Sequence, residues 1–530
     1  MVQLKNKYYE MGDDMLKKKG KGLWLILGVL AIMMIALVGC GKDDKQSSSG
    51  ADDEGTKKLS ILLADKGIQA VEGSPNINND KYVKKLGELT NTKIEMELLS
   101  WAEYEQSLTL AFAGGEYPDL MEVNGINSPQ VAPAIDSGVF IPLNDLIEEH
   151  APNIKKYITQ EQWDSPNVSK DGQIYAIPST RAVINDAVVM VRKDWMDKLN
   201  IETPKTLDEY IEMFRRFKEG DPTGNGDAIP WSARENFTWG EAIFGSYDVL
   251  PNDWKYLEGE LVPNFIRPEM KEALAVYKQL YEEKLLDNEF LVQQGKDWDA
   301  KIKGKGNVGM FIHQPTYPDK WLTEIQKNTP DAELQIIPAP TGPDGKGGHS
   351  ILSPVAQMVW AIPASNEDPV AAIKFLDQFF TEEVQTLLTY GLEDDNYTIE
   401  DGKINYQYPT DQEGIQNETL YQIFLRFIGP SHLEDEDYLA NRPHGDLIKQ
   451  AIDVADSEGR ENDGLDMPNP PTILERPELQ KNGLWVEFAA KVLTGKEDLE
   501  NFDAFVADWK KRGGDQVIKE ATDWYEANRK

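Results

Sequence analysis

Apolar and polar positions change rhythm repeatedly after residue 58. Leu59-Ser60-Ile61-Leu62-Leu63-Ala64 is a short apolar run between polar residues and reads as a buried strand. A helical pattern follows from about Asn79 to Leu89, and Ile94 to Leu99 reads as a second strand. Glu103 to Ala113 predicts a helix ended by Gly114-Gly115, and Asp119 to Val123 predicts a third strand. This alternation implies a parallel sheet covered by helices. Ligands of such sheets sit beyond the carboxyl ends of the strands. The loops at Asp65-Lys66, Ser100-Trp101 and Asn124-Gly125 are therefore candidate binding positions, with Asp65, Trp101 and Asn124 as the side chains of interest.

A second region repeats the style. Val188 to Val191, Ala228 to Ser232, Asn307 to Ile312 and Leu334 to Ile337 read as strands. Thr206 and Glu209 have the spacing of a capping box and open a helix. Met270 to Leu286 and Pro369 to Leu388 read as helices, and the chain is mostly helical from Glu487 onward. Pro178-Ser179-Thr180 and Leu352-Ser353-Pro354 read as crossings between two lobes. The expected division is 58–180 plus about 355–430 for lobe 1, and 181–354 plus about 431–530 for lobe 2.

The first forty residues follow a different logic. Gly22 to Gly39 is an eighteen-residue stretch without a charge, preceded by Lys17, Lys18, Lys19 and Lys21. A basic end before an apolar stretch is the order of an export signal, so residues 1–39 are expected to be a signal peptide. A permanent membrane anchor is the competing reading, because eighteen residues is borderline for spanning. Leu37-Val38-Gly39-Cys40 decides between them: it resembles the lipobox of bacterial lipoproteins, whose cysteine is acylated and becomes N-terminal. Cys40 is the only cysteine in the chain, so no internal disulfide forms and its thiol is best explained as the acyl acceptor. Met15 makes a more typical signal start than Met1. Residues 40–57 lack apolar periodicity and are expected to be a flexible tether to the membrane, spanning about 23 Å.

Composition narrows the function. The 530 residues hold 55 lysines and arginines against 91 aspartates and glutamates, a net charge of −36. That excludes a nucleic-acid partner, which needs a positive footprint, and disfavours anionic ligands unless local cations oppose the global field. Thirteen tryptophans and 20 tyrosines are present, and Trp101, Trp231, Trp239 and Tyr317 fall near strand ends. Sugar rings stack their C–H faces on aromatic planes while a few polar groups fix orientation, so these rings suggest a carbohydrate site. For each tryptophan alone, core packing is the competing reading.

Gly304-Lys305-Gly306-Asn307-Val308-Gly309 has dinucleotide spacing but precedes a strand rather than opening a helix, so no cofactor is expected. The five histidines show no zinc spacing, and no G-x-S-x-G elbow is present. Asp221, Thr223, Asn225 and Asp227 place oxygen ligands at alternate positions and begin like a calcium loop, but the twelfth position is Ser232 rather than a bidentate glutamate. A turn joining helix to strand is the competing reading.

Several segments together resemble family 1 extracellular solute-binding proteins. They are Gly115-Glu116-Tyr117-Pro118-Asp119-Leu120, Gly138 to Leu143, Asp171 to Pro178, Val191 to Met196, Pro204 to Leu207, Gly306 to Met310 and Asp368 to Ala372. The resemblance covers about 58–390, and it is nearest to large lipoproteins grouped with the alginate-oligosaccharide binders and LipO-like proteins. It implies an α/β periplasmic-binding-protein fold of type II, with two lobes joined by a hinge. It also implies a non-catalytic receptor that delivers an oligosaccharide to an ABC transporter permease, with the lipid anchor holding it at the membrane. The alternatives are a surface polysaccharide-degrading enzyme and a ligand sensor feeding a membrane signalling protein. By the same resemblance, Glu235, Asn236 and Trp239 match a sugar-contacting stretch, Trp485 a second aromatic platform, and Arg181 a polar contact. A structural Ca2+ at Asp221, Thr223, Asn225 and Asp227 is implied with them, in a loop two residues shorter than the subgroup's form.

Overall fold

Strands β1 (Lys57–Ala64), β2 (Thr92–Leu99) and β3 (Leu120–Val123) lie parallel, with β1 central. The connecting helices are α1 (Lys81–Leu89) and α2 (Tyr104–Gly114). Asp80 caps α1 by accepting from the Tyr82 amide, and Tyr82, Val83 and Leu86 form its buried stripe. These coordinates are a computed structural model that describes residues 56–185 and 187–529. The expected signal peptide, Cys40 and the tether up to residue 55 lie outside the described residues.

The chain leaves the first sheet through β4 (Ala176–Thr180) and builds a second from β5 (Val188–Arg192), β6 (Ile229–Trp231), β7 (Val308–His313) and β8 (Leu334–Ile337), in the order β8-β5-β7-β6. It then returns as β9 (Val355–Ala361), inserted between β3 and β4, so the first sheet reads β2-β1-β3-β9-β4. The first hydrophobic core draws on residues 59–177 and 355–428. The second sheet is covered by cores drawn from 183–339 and 447–518.

The capping box predicted at Thr206 forms and opens α3 (Leu207–Gly220). The helix predicted over 270–286 is α4 (Glu269–Glu282) and stops earlier, because Leu286 bridges to Trp231 at the end of β6. The segment 369–388 is two helices rather than one, broken where Thr381 turns extended.

The two crossings run side by side. Arg181 N donates to Pro354 O at 3.2 Å, Leu352 N donates to Ile184 O at 2.6 Å, and Asn185 bridges to Ile351. Next to them, helix α5 (Pro318–Gln326) and helix α6 (Gly445–Ser457) pack on the second sheet. Glu458 follows α6 and accepts from the Ala339 amide at 2.9 Å. Burial raises its carboxyl to about 7. The folded pKa lies above the ordinary value, so ionisation costs stability, and that cost grows as pH rises through the folded pKa. Glu458→Gln is expected to raise the melting temperature at about pH 8 and to match the native chain at about pH 5. Melting both proteins across that range checks it.

Candidate functional site

The carboxyl ends of β1, β2 and β3 point to one side, and their loops form one wall of a groove. Asp65 Oδ1 accepts from the Gly67 amide and from the Trp101 amide, each at 2.9 Å. One carboxylate oxygen thus ties the loop after β1 to the loop after β2. Trp101 is 48% exposed and rests beside Tyr104, with ring centroids 6.1 Å apart. It is the one exposed tryptophan among the described residues. Asn124, just past β3, is buried and accepts from the Ser128 hydroxyl at 3.1 Å.

The groove consists of three cavities in series. The first, about 530 Å³, includes Trp101, Glu105, Asn124 and Gln357. The second, about 410 Å³, shares Glu105, Asn124 and Gln357 with it and adds Arg181, Leu352 and Asp466. The third, about 480 Å³, shares Arg181 and Leu352 and extends to Lys66, Tyr317, Lys320, Ile423 and Arg442. Its walls come from both lobes, with the crossings at its floor. A larger cavity of about 1040 Å³ lies on the outer edge of the first sheet, around β2 and α1, away from the crossings.

The second lobe presents Tyr317, which stands past the carboxyl end of β7 and is 38% exposed. Its ring contacts His313, which sits among Trp239, Trp298 and Trp321 at 4.5, 6.3 and 5.1 Å between centroids. Burial, and then Lys303, lowers the His313 pKa to about 4, so the ring is neutral and packs as an aromatic. Behind Tyr317, Arg442 and Asp319 form an ion pair of 2.6 Å with both side chains 3% exposed. That pair joins the first turn of α5 to the segment after helix Glu436–Asn441.

Asp466 closes the middle of the groove. Its carboxylate accepts from Asn167 Nδ2 at 3.0 Å and Ser353 Oγ at 3.2 Å, and its carbonyl accepts from Asn127 Nδ2 at 3.1 Å. The C-terminal segment is thereby fastened to loops of the first lobe and to a crossing. Burial raises the Asp466 pKa.

The family model described as bacterial extracellular solute-binding protein matches residues 74–386, more than half of the chain. The chain belongs to that family. The polygalacturonan/rhamnogalacturonan-binding protein YtcQ of Bacillus subtilis (strain 168) is 27% identical over 521 residues, which cover 94% of this chain and 97% of that protein. Lipoprotein LipO of the same organism is 26% identical over 525 residues, covering 96% and 98%. Among solved structures, the HMO-binding, ABC-transporter-associated solute-binding protein from Bifidobacterium longum infantis superposes with a TM-score of 0.67 at 19% identity, covering 89% of this chain and 99% of that one. The fold is the periplasmic-binding-protein type II fold.

Within that family fold, Trp101, Asn124, Arg181 and Tyr317 line the groove, and Asp65 holds the Trp101 loop. Two sequence expectations are corrected. Trp231 is fully buried and stacks on Phe214, and Trp485 is fully buried among Phe237, Phe244 and Phe265. Neither offers a ring face to a ligand, because both faces are used by the core of the second lobe. Glu235, Asn236 and Trp239 line none of the three cavities. They form a strained turn in which Asn236, Phe237 and Trp239 all have positive φ (59°, 61° and 56°). Burial of Phe237 against Phe244, Tyr277 and Phe290 holds the turn, and Trp239 supports His313 beneath Tyr317. Lys320, Gln357 and Asp466 are groove residues that sequence reasoning missed, while Lys66 lies in the Asp65-Lys66 loop that it flagged. The strand-end rule that selected Tyr317 also points to its neighbour Lys320.

Proposed function

We propose that this family member is an extracytoplasmic, lipid-anchored receptor that captures an oligosaccharide between its lobes and passes it to an ABC transporter permease. One observation carries the reading: Trp101 from the first lobe and Tyr317 from the second are left exposed along one continuous groove. Leaving large rings in water is unfavourable unless a partner covers them, and sugar faces are suited to do so. The name of YtcQ, a polysaccharide-binding protein, supports the ligand class. Closure follows from contacts to both lobes that exist together only in the shut state. Calorimetry with a panel of oligosaccharides tests the reading. Saturable binding with the sugar recovered unchanged is expected; cleavage of the sugar argues for an enzyme instead.

Anchoring through Cys40 belongs to the same proposal, supported by the lipoprotein relative. Mass spectrometry of membrane-derived protein is expected to find an acylated Cys40 as the first residue. An unmodified Cys40 inside a longer chain contradicts it.

A structural calcium ion at the loop after α3 completes the proposal. The Thr223 hydroxyl lies 2.7 Å from Asp221 Oδ1 and 2.9 Å from Asp227 Oδ1. One hydroxyl proton serves two carboxylates, so one oxygen contact is left without a proton. The converging oxygens suit a hard cation that takes oxygen ligands. The Thr223 hydroxyl and then the Gly226 amide hold the Asp221 carboxyl below its usual range. Asn225 contributes its backbone amide to Thr223, and Ser232 at the twelfth position is buried and donates to Asp287, so the donor set is small. Calcium is expected to raise the melting temperature relative to chelator, and Asp221→Asn is expected to abolish the rise. Identical melting with calcium and with chelator contradicts it.

A further inference from the structure

The two ends of the groove are built differently. The first cavity is lined, among the described residues, by the first lobe alone, and Trp101, Ala102, Glu103, Glu105 and Gln106 along it are all exposed. The third cavity, at the other end of the series, is boxed in. Tyr317 faces it from the second lobe, and Arg181 and Leu352 join it to the second cavity. It is backed by Glu418, Gln422, His432, Leu433 and Arg442, every one of them buried. These side chains are committed to one another and to the core. The Tyr438 hydroxyl donates to Glu418 Oε1 at 2.9 Å and accepts from Arg442 Nη1, while Arg442 Nε donates to Asp319 at 2.6 Å. Gln422 Nε2 donates to Thr389 O at 2.8 Å. Tyr390, Tyr406 and Ile448 form a small core with Leu433 and Tyr438. The wall is thus one packed block that runs from a first-lobe segment to helix α5 of the second lobe.

We propose that the groove recognises a chain end: the terminal unit of a linear oligosaccharide sits in the third cavity against Glu418, Gln422 and Arg442, and the rest of the chain leaves over Trp101 into solvent. The inference rests on the carbohydrate reading above and deepens it. A terminal unit keeps a hydroxyl that an internal unit has spent in a glycosidic bond, and a wall of polar side chains suits that hydroxyl. An internal unit at the same place drives its neighbour into a close-packed block, and moving that block breaks buried hydrogen bonds. At the open end Trp101 covers one sugar face and leaves the remainder in water, so further units neither clash nor gain contacts. Affinity therefore grows as the chain lengthens from Tyr317 to Trp101 and then levels off.

Displacement calorimetry on the folded chain tests it, with dimers, tetramers and hexamers of (1→4)-linked glucose (malto and cello), xylose and galacturonic acid. Each is also tagged with an aromatic amine at the reducing end, or with a bulky substituent on the 4-hydroxyl of the non-reducing unit. For the series that binds, affinity is expected to rise with length and to change less than about threefold from tetramer to hexamer. A tag on one end is expected to weaken the hexamer about tenfold or more, and a tag on the other end less than about threefold. Tyr317→Ala is expected to weaken dimer and hexamer alike. Trp101→Ala is expected to flatten the rise with length, costing the hexamer roughly thirty-fold and the dimer far less. Hexamers that tolerate both tags lie across a groove open at both ends, and hexamers excluded by either tag are enclosed at both ends. Each result overturns the inference and leaves the carbohydrate reading standing, as does a Trp101→Ala loss equal for dimer and hexamer. If no untagged sugar binds, the carbohydrate reading fails and this inference fails with it.

Discussion

Replacing Arg442 by leucine is expected to destabilise the second lobe by about 3–5 kcal/mol, because it leaves a buried carboxylate without its counter-charge. Asp319 is 3% exposed on its side chain, and Arg442 Nε donates to its Oδ2 at 2.6 Å. Its other oxygen has no hydrogen-bond partner among the described residues, so the arginine is the main compensation for that charge. The guanidinium also lies over the rings of Tyr408 and Tyr438. The loss reaches the groove, since Asp319 stands between Pro318 and Lys320 on the first turn of α5, next to Tyr317. Removing both charges, as Asp319→Asn with Arg442→Leu, is expected to recover most of the stability. Chemical denaturation of the two single variants and the double variant reads the coupling. A single-variant loss below about 1 kcal/mol contradicts the account.

Trp101→Ala is expected to weaken oligosaccharide binding by about 2 kcal/mol, roughly thirty-fold, with no loss of stability. The ring is 48% exposed, so little of the fold depends on it, and the anchoring lies in its backbone amide. Asp65→Ala is expected to give a smaller loss of affinity through the freed loop, since Asp65 positions the ring without needing to touch the sugar. Gly67, at φ 65°, lets the loop after β1 turn beneath the ring, with the position of an added Cβ 3.8 Å from Trp101 Cδ1. Calorimetry on the two variants, with melting curves as the control, separates the roles.

Most of the sheet positions were legible because their strands are apolar on both faces and bounded by polar or glycine residues. β3, buried at all four residues, and the Ile61 to Ala64 half of β1, buried throughout, show this most plainly. β9 was not legible as a partner of β3, since the pairing joins residues more than two hundred positions apart and no local pattern encodes it. Of the two crossings expected at Pro178-Ser179-Thr180 and Leu352-Ser353-Pro354, the second lies outside any strand, whereas Pro178 to Thr180 belong to β4, with Pro178 paired to Val359 and Thr180 to Val355, so the first crossing starts at Arg181. The tryptophans divide by direction rather than by type. Trp231 lies within β6 and turns into the lobe core, whereas Trp101 follows β2 and stays in water. Resemblance to related binders misplaced Trp485, because the second-lobe core built from Phe237, Phe244 and Phe265 encloses it in this chain. Gln357 and Asp466 became visible only when distant segments were brought together beside Arg181.

Oxidative footprinting read by mass spectrometry during an oligosaccharide titration tests the central claim most directly. Trp101 and Tyr317 are expected to lose reactivity together along one saturation curve, while the buried Trp231 and Trp485 stay unreactive throughout. A sugar that binds and leaves both exposed rings as reactive as before contradicts a ligand held between the lobes.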